Sequence, residues 1–273
     1  MMNVLEVEGL GKSYPSFELK DVSFAIPEGR ILGLVGANGA GKSTTLKAIV
    51  GLISAQGEVK ICGIPFGDGR DCKRLIGYAG GGFRFYPNAK LKTIVKSVKA
   101  FYPDWQEERW ERLKAQYRLD PEKRVRELSE GMKVKFSVAL ALSHGAKLLI
   151  LDEPTSGLDP LSREEFCDCI LELAKEGTSV LFSTHITGDL ERVADDVVYL
   201  SQGKILFSGK LDVLKSRYSL GTYESAEQAR QAGAIGIKEG KHAFEGLVPY
   251  REELRAATLD EIVVHLEREA RKA

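Results

Sequence analysis

The segment Gly36-Ala37-Asn38-Gly39-Ala40-Gly41-Lys42-Ser43-Thr44 places glycines, a lysine and two hydroxyls where a phosphate ester needs them. In the spacing G-x-x-x-x-G-K-[ST], the glycines let the backbone curl into a nest whose N–H groups converge on phosphate oxygens. A helix opening at this point adds partial positive charge. Lys42 is placed to reach the β- and γ-phosphates, Ser43 to ligate magnesium, and Thr44 to donate to the α-phosphate. A second group complements the first: Leu148-Leu149-Ile150-Leu151 runs into Asp152-Glu153 and then Pro154. Four apolar residues followed by two acids and a proline put both carboxylates at the carboxyl edge of a sheet, where open α/β folds bind ligands. Asp152 fits support of the metal, and Glu153 fits polarisation of an attacking water. An ordinary strand-end charge pair is the alternative, and the phosphate loop argues against it.

Other reactive side chains carry weaker signals. His185 follows Leu181-Phe182-Ser183-Thr184 at the carboxyl end of a strand pattern, a position from which it can act. His144 lies in a helical stretch and reads as structural, while His242 and His265 read as solvent-facing or packing residues. Cys62, Cys72, Cys167 and Cys169 form no CxxC pair and no zinc-ligand spacing, so they are expected to be buried or idle thiols. Cys167 and Cys169, two apart in a helical segment, point to different faces.

The elements that must hold these groups are legible as a pattern. Alternating segments at Val4–Glu8 and Val22–Ile26, punctuated by Pro15, Pro27 and Gly29, predict short antiparallel strands. Arg30–Val35 predicts a buried strand leading into the glycine loop, and Lys42–Gly51 a helix. Residues 106–126 are charge-rich and helical in character. A regular alternation follows: strand Lys147–Leu151, helix Leu161–Lys175, strand Thr178–Ser183, helix Ile186–Ala194, strand Val197–Leu200, and strand-like Lys204–Phe207. Apolar strands alternating with helices imply a parallel sheet covered on both faces.

Composition limits the function classes. The 273 residues carry 39 basic and 39 acidic side chains, a formal net charge of zero, so no global field gathers nucleic acid or an anionic membrane. At 43% hydrophobic and 29% charged the chain is neither disordered nor membrane-embedded. No apolar run approaches the roughly 18 residues a membrane span needs. The start, Met-Met-Asn-Val-Leu-Glu, lacks the layout of a secretory signal. A cytoplasmic protein is expected, and no nucleic-acid partner.

In order along the chain, these motifs resemble those of ATP-binding-cassette (ABC) ATPases. The resemblance covers residues 1 to about 210. Residues 36–44 match Walker A and 148–153 match Walker B. Tyr14, in Gly-Lys-Ser-Tyr, matches the aromatic that stacks on adenine. Leu128-Ser129-Glu130-Gly131-Met132 is similar to the signature Leu-Ser-Gly-Gly-Gln, Ser156-Gly157-Leu158-Asp159 matches the D-loop, and Thr184-His185 matches the switch histidine. The resemblance implies an α/β P-loop NTPase core with an antiparallel β subdomain, a helical subdomain at about 80–135 and a small C-terminal α+β tail. The domains would be 1–212, the ATPase, and 213–273, an accessory tail. It also implies ATP and Mg2+ as ligands. Gly36, Asn38, Gly39, Ala40, Gly41, Lys42, Ser43, Thr44, Tyr14 and Asp159 would lie on the nucleotide, with Ser43 and Asp152 on the metal. Glu153, His185 and Lys42 would be catalytic.

Two cassettes of this family pack head to tail, so Ser129 and the Gly131 amide would face the γ-phosphate held by a second chain, in a homo- or heterodimer. From the residues alone Leu-Ser-Glu-Gly is a helix N-cap, and both readings hold together. Glu130 departs from the family pattern and its charge must point away from the phosphate. The position of the usual metal-contacting glutamine falls at about Gly81, which has no side chain. Slower catalysis, coordination by water, or a competent partner cassette would each accommodate that. The helical subdomain meets a membrane permease in such transporters, and its aromatics (Phe83, Phe85, Tyr86, Phe101, Tyr102, Trp105) would form its core and part of an interface. The Phe101–Trp105 segment is similar to bacterial Ytr (acetoin-linked) ATPases. Ala257–Val263, with Thr258 and Glu261 forming a capping box, is similar to the last helix of exporter-type cassettes. The expected function is ATP hydrolysis powering a separately encoded permease at the cytoplasmic face. The alternatives are a weakly hydrolysing regulatory module and a soluble ABC protein without a transport role.

Overall fold

The computed structural model of the chain describes residues 2–67, 71–80 and 85–271. The expectations at Gly81 and Phe83 lie outside the described residues.

The chain opens with an antiparallel hairpin, β1 (Asn3–Tyr14) and β2 (Phe17–Pro27), whose last pair across the turn is Tyr14 and Phe17. β3 (Ile31–Val35) is buried at every residue and delivers the glycine loop to α1 (Lys42–Ile49). β4 (Gln56–Ile61) and β5 (Ile64–Pro65) return to the first sheet, giving the order β2-β1-β4-β5. After the short α2 (Asp71–Arg74) comes β6 (Ile76–Gly80). The helical region contains α3 (Leu91–Lys99), α4 (Glu107–Gln116), a 3₁₀ turn at Val125–Glu127, and α5 (Glu130–Ser143). The charge-rich stretch expected to be helical over 106–126 is helical only to Gln116. Arg118 adopts a left-handed φ of 52° and breaks it.

The predicted alternation then appears as β7 (Leu148–Asp152), α6 (Pro160–Lys175), β8 (Ser179–Ser183), α7 (Thr187–Val193), β9 (Asp196–Ser201) and β10 (Lys204–Lys210). These strands and β3 and β6 form a six-stranded sheet of order β10-β9-β3-β8-β7-β6, parallel except at β10. The C-terminal part comprises α8 (Leu211–Lys215), β11 (Tyr218–Tyr223), α9 (Ala226–Gln231), β12 (Ile235–Glu239), β13 (Phe244–Pro249) and α10 (Leu259–Ala270). Its three strands make an antiparallel sheet of order β11-β13-β12.

Strand periodicity splits the core into two layers. Leu148 and Ile150 face a layer shared with the hairpin, Leu46 and Ile49, whereas Leu149 and Leu151 face the helices. Phe182, Leu190, Leu247, Leu259 and Ile262 belong to one buried cluster, so the C-terminal elements close over the same layer as α7. Each such side chain contributes about 1.5–3 kcal/mol by leaving water. Because both faces of the large sheet are sealed, its polar chemistry is confined to the carboxyl ends of β3, β7 and β8.

Candidate nucleotide site

A cavity of about 620 Å³ opens at those strand ends. Its walls include Ala37, Asn38, Gly39, Gly41, Lys42, Ser43, Thr44, Glu153 and His185. The structure thus brings the glycine loop together with one of the two predicted acids and the predicted histidine, both more than a hundred residues further along the chain. Gly36 and Ala40 are buried in the base of the loop. Gly41 adopts φ 112°, a value that strains any residue with a Cβ, and a Cβ there would stand 2.8 Å from the Phe17 ring.

Lys42 is only 6% exposed, and its Nζ donates to the carbonyls of Gly36 (2.7 Å) and Ala37 (3.3 Å). Burial pushes the ammonium below its ordinary pKa, and the neighbouring Glu153 and Asp152 carboxylates push it back part of the way. A poorly hydrated cation beside a nest of amides favours an anion strongly. The Glu153 carboxylate lies 3.9 Å from Lys42 Nζ, and the other Glu153 oxygen lies 2.7 Å from His185 Nδ1. The His185 backbone N–H also donates to that oxygen at 3.2 Å. Glu153 reaches this position through a left-handed backbone, φ 53°, anchored by its N–H donating to the Ser183 carbonyl at 2.8 Å.

Asp152, 6% exposed, accepts from Ser43 Oγ (3.3 Å) and Ser183 Oγ (3.1 Å) through the same oxygen. The pairing of Ser43 with Asp152 is the hard-oxygen arrangement magnesium prefers when phosphates and waters supply its remaining ligands. No group of three or more His, Cys, Asp or Glu among the described residues forms a dedicated metal cage. The donors present therefore suit a metal carried in with a phosphate.

Tyr14 is placed beside this cavity rather than on its wall. Its ring, 42% exposed, lies 6.5 Å from Phe17 and has Lys12 Nζ 5.7 Å from its centre. Phe17 and Ser16 are the hairpin residues that line the cavity. Sequence reasoning missed both, although pairing across a two-residue turn puts the partner of Tyr14 on the same face. Ser183 was likewise unassigned, and its position opposite Asp152 in parallel register is the signal that finds it.

Ser129, Gly131 and Asp159 form a separate cluster. Ser129 Oγ caps α5 by accepting from the Met132 N–H at 3.2 Å. Asp159 caps α6, accepting from the N–H groups of Leu161 and Ser162 at 3.1 Å each and from the Ser162 hydroxyl at 2.6 Å. The Ser162 hydrogen bonds hold its carboxyl below the usual range. Gly131 faces Ser162, with 3.5 Å between the position of a Cβ and the serine Cβ. Two helix N-termini thus meet at an exposed edge. Glu130 pairs with Lys133 (2.5 Å), with its side chain 63% exposed.

His144 and the cysteines sit as expected. His144 stacks on Tyr102 with 4.0 Å between ring centres, and burial lowers its pKa. Cys167 and Cys169 are both buried on opposite sides of α6, Cys169 against Tyr117 Oη at 2.8 Å. His265 is buried and meets the Gly236 carbonyl at 2.8 Å.

A sequence profile described as ABC transporter matches residues 19–156. Synechocystis sll0415, an ABC transporter ATP-binding protein, is 35% identical over 201 residues, 71% of this chain and 56% of that protein. The chain therefore spans little more than half the length of that relative. YxlF of Bacillus subtilis, also an ABC transporter ATP-binding protein, is 37% identical over 242 residues, covering 86% of this chain and 80% of its own. The ABC transporter ATP-binding protein YtrB of Bacillus subtilis is 32% identical, covering 79% and 75% respectively. A solved structure of an ATP-binding subunit of an ABC transporter superposes with a TM-score of 0.74 at 30% identity, over 96% of this chain and 99% of that one.

Proposed function

The chain belongs to the ABC transporter ATP-binding family, and on that premise we propose that it hydrolyses ATP with Mg2+ to drive export through a separately encoded membrane permease. The placement of Glu153 carries this reading. A strained backbone, a strand-end position and a histidine partner together hold one carboxylate over the phosphate loop.

In this reading residues 1–212 are the ATPase unit and 213–273 the accessory tail. The amides of residues 36–41 surround the β-phosphate, and Lys42 leaves the Gly36 and Ala37 carbonyls for β- and γ-oxygens. Thr44 serves the α-phosphate, and Tyr14 or its neighbour Phe17 takes the adenine. Ser43 and Asp152 would hold Mg2+, which would supply neutralisation of the phosphate charge. Glu153 accepts a hydrogen bond from the attacking water and draws off its proton as the water oxygen bonds to the γ-phosphorus and the bond from that phosphorus to the β–γ bridging oxygen breaks, leaving ADP and inorganic phosphate. His185 keeps that carboxylate oriented and contacts the γ-phosphate. The exposed edge carrying Ser129, Gly131 and Asp159 closes on the γ-phosphate of a second cassette, its helix N-termini favouring the anion.

The permease is assigned to a second cavity, about 490 Å³, between the sheet and the helical region. Its walls include Tyr78, Phe85, Val98, Tyr102 and Leu140. Two buried polar atoms in the same walls, Ser137 Oγ and His144 Nδ1, have no hydrogen-bond partner among the described residues. An inserted polypeptide segment would satisfy them. No described helix is long and apolar enough to cross a membrane, so a permease partner would be what keeps the chain at the cytoplasmic face.

The test is steady-state ATPase activity of the complex assembled with permease and any partner cassette, for the natural chain and Glu153→Gln. Removing the base is expected to lower kcat by about 10²–10⁴-fold while leaving ATP binding intact. Equal near-zero rates in both would favour a nucleotide-sensing module over an enzyme.

A further inference from the structure

Helix α7 begins two residues after His185 and is only seven residues long. Its N-cap, Ile186, offers no side-chain hydrogen bond, so its first turn depends on what packs against it. Asp189, Thr187 and Glu191 supply that support, alongside Arg192, which pairs with Glu164 and Asp168 of α6. Asp189 Oδ1 accepts from Arg163 Nη2 of α6 at 2.8 Å. Thr187 Oγ1 donates to Asp260 Oδ1, in the first turn of α10, at 3.1 Å. Glu191 Oε1 accepts from the Leu259 backbone N–H at 3.0 Å and pairs with Lys215 at 2.8 Å. Thr187 and Glu191 are four residues apart, so they present one face of α7 to the C-terminal unit.

We propose that Asp260 is a positioning residue for hydrolysis, acting through Thr187 to set His185 against Glu153. This rests on the reading of Glu153 and His185 as the hydrolytic pair. The His185 side chain is 50% exposed, and the hydrogen bonds that hold it run to Glu153. Little packing fixes the ring, so its place follows from its backbone. On one side that backbone continues from β8, which also anchors Glu153 through the Ser183 carbonyl. On the other side it continues into α7, whose first residue is tied to the tail. A shift of α7 therefore moves His185 relative to a glutamate held from the strand. Thr187 is buried and Asp260 exposed, so the freed carboxylate is hydrated when the hydrogen bond is lost. The contact is worth more to geometry than to stability.

The experiment is ATPase kinetics of the assembled complex for Thr187→Val, Asp260→Ala and their double variant. Thr187→Ser and Asp260→Asn, which keep the donor and the acceptor, provide the rescue. The expected result is a kcat about tenfold lower in each disrupting single variant with KM for ATP unchanged, and with melting temperature unchanged in Thr187→Val, which leaves no buried hydroxyl unpaired. The double variant should be no slower than either single, because both remove one interaction. Both conservative variants should retain the natural kcat. Unchanged kcat in the two disrupting variants overturns the proposal, as does a loss that appears in KM, tracks melting temperature or adds in the double. If the natural complex is itself no faster than Glu153→Gln, the hydrolytic reading fails and the proposal fails with it, an outcome distinct from active complexes insensitive to Asp260.

Discussion

Glu153 holds a backbone conformation, φ 53°, that costs a residue with a Cβ roughly 1–3 kcal/mol. That strain is maintained at the single point where it brings a carboxylate between Lys42 and His185. The sequence carries the identities of all three residues, but φ at 153 is set by packing between β7 and β8 and has no signature in residue type. Tyr14 illustrates the same limit, since a motif selects the hairpin and only the pairing register shows Phe17 on the cavity wall. Close packing also makes Gly36 irreplaceable. A Cβ there would stand 2.1 Å from the Leu200 carbonyl oxygen of β9, a backbone atom that no rotamer change can move. Gly36→Ala is expected to cost about 1–3 kcal/mol and to weaken ATP binding, read by melting temperature and nucleotide titration. An unchanged affinity would show that the loop is not seated against β9. The thiols give a pH dependence. Burial pushes Cys167 and Cys169 up to about 11, above the ordinary value of 9. Unfolded thiols ionise from pH 9 while folded ones stay protonated, so this contribution is whole below pH 9 and is lost as pH rises towards 11. The urea midpoint should fall less steeply over that window in a Cys167→Ala, Cys169→Ala variant than in the natural chain. Identical slopes would remove the thiols as the cause.

Among the elements, those governed by period and punctuation were legible. The strand–loop–helix at β3 and α1, the Ser129 cap of α5 and the Thr258–Glu261 capping box of α10 all formed where residue types called for them. Ser129 and Thr258 offer an oxygen to an otherwise unpaired amide, a local interaction that needs no distant partner. The helical region was less legible because its boundaries are tertiary. α3 went unread, although Leu91 and Ile94 are buried while Lys92, Lys96 and Lys99 line its outer side. A nine-residue amphipathic helix of this kind is marginal alone and is fixed by the layer it covers. The same region divides its aromatics. Trp110 and Phe136 meet at 6.2 Å in the core, whereas Tyr86 and Phe101 are 84% and 79% exposed. Each is the sequence neighbour of a wall residue of the second cavity, Phe85 or Tyr102, and exposed aromatics of this kind are typical anchors of an interface. Replacing Tyr86 and Phe101 together by Ser should leave melting temperature and ATP binding near those of the natural chain. It should cut co-purification of the permease about tenfold or more, since anchors of this kind are worth at least ~2 kcal/mol each. Undiminished co-purification would place the permease elsewhere.

At the scale of the molecule, zero net charge directs attention away from lipid and nucleic acid and towards contacts of defined shape. Motif spacing exposes the phosphate-loop region because its chemistry demands particular residue types at fixed spacing, whereas no such motif marks residues 213–273, and of their elements only α10 was anticipated. Their folding follows from burial instead. Leu214, Leu220, Leu247, Leu259 and Ile262 enter the same apolar cluster as Phe182 and Leu190, and Tyr199 Oη of β9 donates to Glu267 of α10 at 3.0 Å. The C-terminal elements thus wall the buried layer beneath His185, and removing them would expose the face of α7 to water. A chain ending at residue 212 is predicted to lose several of these burials at about 1.5–3 kcal/mol each. Such a loss compares with the whole stability of a typical domain. The truncated protein should therefore melt well below the natural chain and bind a hydrophobic dye, as its uncovered layer meets solvent. The difference should be readable by calorimetry and dye fluorescence even where ATP stabilises the remainder. A truncated chain that melts at the natural temperature without binding dye would show that the cassette seals its own core, leaving α10 a passenger rather than a support for His185.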